Sequence, residues 1–182
     1  MTRPRFTLTV VTTADGYIAR HKEDAPQLWA SAEEQEIFFR DVEAADWSVM
    51  GRHTHEAADR PDRRRIVFSS QGGGWKRPTQ LWLDPAGLTP TDLAQQVAHI
   101  HPLENGLILG GTAVHDWFLD HDAIDEIHLT IEPLTFGSGL PVLTGQGGRD
   151  PRETFSEAGF TLTEDLPLNT TGTRYTVWTR AR

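Results

Sequence analysis

The chain has 182 residues, a net charge of −9 and no cysteine. Its length suits one domain over residues 1–182, able to bury roughly 70% of its unfolded surface without staples. The charge argues against a nucleic-acid partner, because the arginines are scattered apart from the short run Arg63-Arg64-Arg65, and the missing cysteines exclude disulfides and thiolate metal sites.

In chain order, residues 6–12 are β-rich and partly alternating, a first strand. Arg3 and Arg5 before it lead into a run too short and too polar for a signal peptide. No apolar run approaches membrane-spanning length, so a soluble, cytoplasmic protein is expected. Asp15-Gly16 marks a turn, either a plain surface turn or a loop reaching over a ligand. Ser31-Ala32-Glu33-Glu34 opens a helix, with Ser31 fitting the N-cap and Glu34 the third position of a capping box. Ile37, Phe38 and Val42 form its apolar stripe, and it ends near Ala44.

Residues 47–70 then read as strand, tight turn, short helix, loop and strand. Gly51 lets the backbone turn without a Cβ. The helix beginning at about Arg52 points its free N–H groups back at that turn, where an anion is favoured. Arg52 adds a fork of donors and Thr54 a hydroxyl; Ser69-Ser70 end the next strand at the same sheet edge. Ligands of open α/β sheets sit at the carboxyl ends of strands, so a phosphorylated cofactor is one reading and a polar rim the other.

Further on, Gln71 to Trp75 is a glycine-rich loop, and residues 80–83 are a short strand. Thr89-Pro90-Thr91-Asp92 starts a helix with Leu93, Val97 and Ile100 facing inward. Leu107-Ile108-Leu109 is a buried parallel strand ending in Gly110-Gly111-Thr112, a second strand–glycine–helix junction of anion-binding type. His115 lies one turn into that helix, either toward the site or toward solvent. Residues 126–132 alternate as a strand with one covered face. Phe155 and residues 160–163 suggest a strand and residues 174–179 a last one, paired antiparallel. His53 and His55, like His99 and His101, are two apart, a spacing that does not set two ligands on one helix face, so no metal is expected. Trp29 and Trp75 either roof a flat ligand or pack elsewhere.

Taken together, Thr13-Ala14-Asp15-Gly16-Tyr17-Ile18-Ala19, Val49-Met50-Gly51-Arg52-His53-Thr54, Ile66-Val67-Phe68-Ser69-Ser70, Leu107-Ile108-Leu109-Gly110-Gly111 and residues 124–130 running on to Phe136-Gly137-Ser138-Gly139 resemble the dihydrofolate reductase superfamily. The likeness is greatest to the branch holding the reductase domain of bifunctional riboflavin-biosynthesis enzymes, the RibD C-terminal domain. The resemblance implies a three-layer α/β/α fold, its central sheet mostly parallel with an antiparallel C-terminal strand. It implies an NADPH-dependent reductase of a small pyrimidine- or pterin-like substrate, similar to 5-amino-6-(5-phosphoribosylamino)uracil reductase. Val11 and Ile18 would border the nicotinamide. Gly51, Arg52, His53 and Thr54 would hold the diphosphate and 2′-phosphate, and Ser69 and Ser70 would flank the adenosine. Gly110, Gly111, Thr112, Ala113 and Val114 would pack beneath the cofactor, and Thr130 would orient the substrate.

Folate-reducing members carry an acidic residue early in the first long helix, where Glu33 and Glu34 both lie; the capping box is the competing use of Glu34. The proton comes from Glu33, Glu34, Asp15 or a water on this reading. A true dihydrofolate reductase, a non-catalytic NADP(H)-binding protein, and the same scaffold with a deazaflavin are the alternatives. Because the riboflavin-type branch often forms dimers, a homodimer through the C-terminal strands is a further expectation.

Overall fold

The computed structural model describes residues 2–180. Its strands are β1 (Arg5–Thr13), β2 (Tyr17–Ala19), β3 (Trp47–Gly51), β4 (Arg65–Phe68), β5 (Gly74–Arg77), β6 (Gln80–Leu83), β7 (Asn105–Ile108), β8 (Glu126–Glu132), β9 (Leu140–Pro141), β10 (Phe160–Pro167) and β11 (Arg174–Arg180). Its α-helices are α1 (Ala32–Ala44), α2 (Arg52–Ala57), α3 (Pro90–Val97), α4 (Thr112–Asp120) and α5 (Pro151–Glu157). Among the described residues, nine strands make one sheet in the order β10-β11-β8-β1-β7-β3-β4-β6-β5. The inner strands β8, β1, β7, β3, β4 and β6 run parallel, while β11, β10 and β5 are antiparallel to their neighbours.

Strand periodicity sends alternate residues to opposite faces, and here the two faces differ in kind. Leu8 pairs with Ile108, Ile108 with Val49 and Val49 with Ile66, so one row of branched side chains crosses the sheet. Leu93 and Val97 of α3, Phe118 of α4 and Phe155 of α5 close over that row as the apolar core. Phe118 lies 4.8 Å from the Phe6 ring, centroid to centroid, and Phe155 lies 6.4 Å from Trp178. The opposite face carries Thr9, Arg65, His128, Thr130 and Glu132, and α1 and α2 cover it through polar contacts. The two buried residues of α1 are Glu34 and Asp41, so its apolar stripe does not form core. Phe38 and Val42 instead wall a cleft.

The layering and the mostly parallel sheet agree with expectation; several local readings do not. Phe155 lies on helix α5, started by Asp150 at the N-cap and Pro151 behind it. The glycine-rich loop continues into β5, and β2 pairs with β9 as a small second sheet. Ile100 is 42% exposed because α3 stops at Val97. Strand β8 is covered on both faces: Ile127 and Leu129 join the apolar core, and its polar row faces α1.

Packing is close where Gly106 of β7 crosses Phe6 of β1. A Cβ built on Gly106 would enter the Phe6 ring, which is fully buried against Phe118. Gly106→Ala is expected to lower stability by about 1–3 kcal/mol through overpacking, read as a lower urea midpoint at unchanged slope. An unchanged midpoint would show that the ring has room to move.

Candidate active site

A cleft of about 810 Å³ opens at the carboxyl ends of β1, β7 and β3, between α1 and α2. Thr9, Val11, Met50 and Leu109 of the sheet line it, with Glu34 and Phe38 of α1 and Ile18 of β2. Ligands of open α/β sheets settle at such carboxyl ends because helix N-termini converge there.

At one end of the cleft, two strand–glycine–helix junctions meet. Gly51 and Gly111 are the N-caps of α2 and α4, and neither helix start has a side-chain cap. By contrast α1, α3 and α5 are capped by Ser31, Thr89 and Asp150. The N–H of Gly51 donates to the Gly110 carbonyl at 2.8 Å, which ties the junctions together. Gly110 has φ +95°, a conformation that L side chains rarely adopt, and a Cβ there would stand 3.1 Å from Nε2 of His115. The Gly110-Gly111 peptide is cis. The guanidinium of Arg52 is half exposed, with its nearest carboxylate, Glu56, 4.0 Å away. Uncapped N–H groups, bare glycine surfaces and a free guanidinium fit the diphosphate of a dinucleotide.

The expected cofactor residues fall into two groups. Val11, Ile18, Gly51, Arg52, His53, Thr54, Gly111, Thr112, Ala113 and Val114 all line the cleft. Thr112 presents its backbone there, because its hydroxyl donates to the Pro141 carbonyl at 2.6 Å. Gly110 supports the lining from behind. Ser69 and Ser70 follow β4, one strand beyond β3, and are not part of the lining. The Ser69 hydroxyl accepts from the N–H of Gln71 at 3.3 Å.

The acidic candidates separate more sharply. Ser31 does cap α1, accepting from the Glu34 N–H at 3.2 Å. The reciprocal half of the expected capping box is absent: the Ser31 N–H donates to Glu132 of β8 rather than to Glu34. Glu34 is thereby released. Its carboxyl lies 3% exposed in the cleft and accepts from Gln35 Nε2 at 2.7 Å. Burial pushes its pKa up to about 7 against the lowering effect of Gln35, and the charges of Glu132 and Asp41 add to the rise. Glu33 lies outside the cleft lining, its carboxylate 3.5 Å from Asn169 Nδ2. Asp15 accepts from the Thr13 hydroxyl at 2.6 Å and from the N–H groups of Phe136 and Gly137. Burial would raise its pKa, but those bonds hold it below the usual carboxylate range. It pins a loop and is a poor proton donor at neutral pH. Thr130 is buried on β8 beside Val11, on the face toward α1.

Sequence reasoning left His115 open, did not single out Gln35, and read Phe38 as part of the apolar stripe of α1 rather than as a residue of the site. His115 is 1% exposed at the cleft wall and donates from Nδ1 to the Val142 carbonyl at 2.7 Å. Burial lowers its pKa, so the ring is neutral with Nε2 turned toward Gly110. The available signal was its place four residues after Gly111, on the same face of α4 as the helix start. Trp29 packs on Phe136 and Trp75 on Trp47 and His99, and neither lines the cleft. Among the described residues, no group of three or more His, Asp or Glu is placed to hold a metal, and no helix is long and apolar enough to cross a membrane.

The fold is dihydrofolate reductase-like. Dihydrofolate reductase from Enterococcus faecalis, in complex with NADP(H) and RAB-propyl, superposes with a TM-score of 0.67 at 16% identity, covering 98% of this chain and 97% of that one. The chain belongs to the RibD C-terminal domain family, whose model matches residues 4–166. Among solved structures, a pyrimidine reductase-like protein from Corynebacterium diphtheriae matches with a TM-score of 0.71 at 14% identity, over 98% of this chain and 92% of that one. RibD from Acinetobacter baumannii matches with a TM-score of 0.73 at 14% identity; 99% of this chain covers 59% of that longer one. A comparison with curated proteins finds no match.

A carboxylic acid raised by burial costs stability when it ionises. Its contribution is complete below the unfolded value near 4.5 and is lost as pH rises through about 7. Glu34→Gln is therefore expected to stabilise the protein at pH 8 by on the order of 3 kcal/mol, with the gap narrowing at pH 5, measured by urea unfolding. Equal stability of variant and wild type at both pH values would show that Glu34 is not desolvated.

Proposed function

We propose that the protein is an NADPH-dependent reductase acting on a C=N or C=O of a small pyrimidine- or pterin-like heterocycle, in the manner of the riboflavin-pathway reductases. The observation that carries this reading is the freed Glu34: a buried carboxyl that titrates near neutrality, in the same cleft as two uncapped glycine-started helices. The family supports the reductase class.

A reduced nicotinamide, when bound, supplies the hydride. The chain supplies position and a proton. Arg52, with the N–H groups that follow Gly51 and Gly111, holds the phosphates, and Arg52 favours the 2′-phosphorylated form. Val11 and Ile18 line the cleft and would border the nicotinamide and exclude water from it. Glu34 holds the substrate ring by a hydrogen bond and, protonated, donates to its heteroatom as the neighbouring carbon is reduced. His115 backs Gly110 and ties it to the β9 segment. The protein works in the cytoplasm on this reading. A homodimer joins through β10, an edge strand whose Leu162 and Leu166 are exposed.

The first test is titration with NADPH, NADH and NADP⁺, followed by tryptophan fluorescence. Saturable binding with preference for the 2′-phosphorylated forms is expected, and failure to bind any of them would remove the reading. Arg52→Ala is expected to weaken NADPH roughly ten- to a hundredfold, as loss of a charged hydrogen bond implies, and to narrow the gap to NADH; unchanged affinity would take Arg52 out of the phosphate site. Glu34→Gln is expected to lower kcat by about 10²- to 10⁴-fold. In the wild type kcat/KM should fall about tenfold per pH unit above about 7 as Glu34 ionises, and full turnover by the variant would end its role as the acid. Turnover of dihydrofolate separates a true dihydrofolate reductase from a pyrimidine reductase.

A further inference from the structure

The polar face of the sheet holds a second ionised cluster, which the proposed chemistry leaves unused. Asp41 lies seven residues after Glu34 on α1, on the same face and about 10 Å further along the helix. Its Oδ2 accepts from the Thr9 hydroxyl at 2.6 Å and from His128 Nδ1 at 2.7 Å. The other ring nitrogen of His128 faces Glu126 Oε1 at 2.8 Å. Ionised carboxylates only accept hydrogen bonds, so both ring nitrogens must carry protons and His128 is an imidazolium. Around this pair, Arg40 of α1 reaches Asp41 at 3.2 Å and the Tyr175 hydroxyl at 3.0 Å. Arg5 of β1 reaches Glu126 at 2.6 Å, and the Tyr175 ring of β11 lies 6.0 Å from His128. On the Glu34 side, Glu132 and Asp41 are the charges that act on the acid.

The placement is systematic. His128, Thr130 and Glu132 are alternate residues of β8 that face α1, spanning about 13 Å at a strand's rise. Glu132 holds the helix start at Ser31 and His128 holds it at Asp41, a helical span of about 15 Å. Glu34 and Thr130 lie between the two fastenings. Thr9, a cleft residue, spends its hydroxyl proton on Asp41.

We infer that Asp41 and His128 are a positioning pair for the reaction proposed at this cleft: they fasten α1 to β8 beside the acid and keep the Asp41 charge compensated, without touching substrate. The inference rests on the reading of Glu34 as the acid. With His128 uncharged, Asp41 would keep Arg40 alone as its cation, act on Glu34 as a stronger negative charge and hold its proton more tightly. A helix fastened by packing alone would show no such coupling.

The test is a ¹³C NMR titration of the Glu34 carboxyl in the full chain without ligands, assigned by its absence in Glu34→Gln. His128→Gln is expected to raise the Glu34 midpoint by about half to one pH unit. Adding Asp41→Asn, which leaves a neutral hydrogen-bonded pair, is expected to bring it back toward wild type. The alkaline limb of kcat/KM should move with the midpoint. A folded His128→Gln variant with an unchanged midpoint overturns the inference. Should that variant not fold, Arg40→Gln, a change at a half-exposed side chain that also compensates Asp41, decides: a smaller upward shift supports the pair, and none overturns it. The titration needs no turnover, so failure of the reductase reading shows separately, in the cofactor titration and the activity of Glu34→Gln.

Discussion

The site depends on one hydrogen bond at the start of α1, the Ser31 N–H donating to Glu132. A helix start has four N–H groups without partners inside the helix, and a glutamate at the third position usually takes one of them. Here a carboxylate from β8 takes it instead. That substitution fastens the helix to the central sheet and leaves Glu34 without a structural task. A buried carboxyl with no capping duty and a single amide donor for company titrates near neutrality. The chemistry of the cleft follows from who caps the helix.

The division of labour between the faces of the sheet follows from the cost of burying polar groups. Apolar burial gives roughly 25 cal/mol for each Å² removed from water, and the face carrying Phe6, Phe118, Phe155 and Trp178 takes that gain. The α1 face buries carboxylates, a guanidinium and an imidazolium, each of which costs stability unless paired. The structure pairs them: Asp41 with Thr9, His128 and Arg40, Glu132 with Thr173 and Ser31, and Arg65 with His55 and the Ala58 carbonyl. Glu34 is the exception among these carboxylates, having one amide partner and no cation. A group left poorly paired inside a well-paired face is where proton transfer has the lowest cost of reorganisation.

Much of this was legible in the sequence, and the misses share a cause. The two strand–glycine–helix junctions were legible because glycine and the helix start are local signals. The core rows of β3, β4 and β7 were legible because buried parallel strands read as unbroken apolar runs. Glu34 was ambiguous because its competitor for the Ser31 N–H, Glu132, lies on β8 about a hundred residues away, and no local pattern reveals it. For the same reason β8 read as one-sided: His128, Thr130 and Glu132 look like a solvent row until α1 is laid over them. Helix α5 was lost to its aromatic residue, although Asp150-Pro151 had the form of a helix start. Ser69 and Ser70 were placed by their position at a strand end and by the resemblance, and neither says that a side chain turns into the cleft.

The chain carries a net charge of −9, yet on the proposed reading its cleft accepts an anion at one end and keeps a carboxyl protonated at the other. These demands conflict only if one region has to meet both. The fold keeps them on different strands: the anion-seeking end is built where β3 and β7 run into α2 and α4, and the acid where α1 lies over β1 and β8. Cations at the first end would drain a proton from an adjacent carboxyl. Glu34 is spared this, because the charges that act on it are the carboxylates Glu132 and Asp41, both of which favour its protonated form. The proposed acid and the proposed cofactor end therefore share a cleft without sharing a field. On the proposed reading, hydride and proton reach the heterocycle from these two separate parts of the cleft.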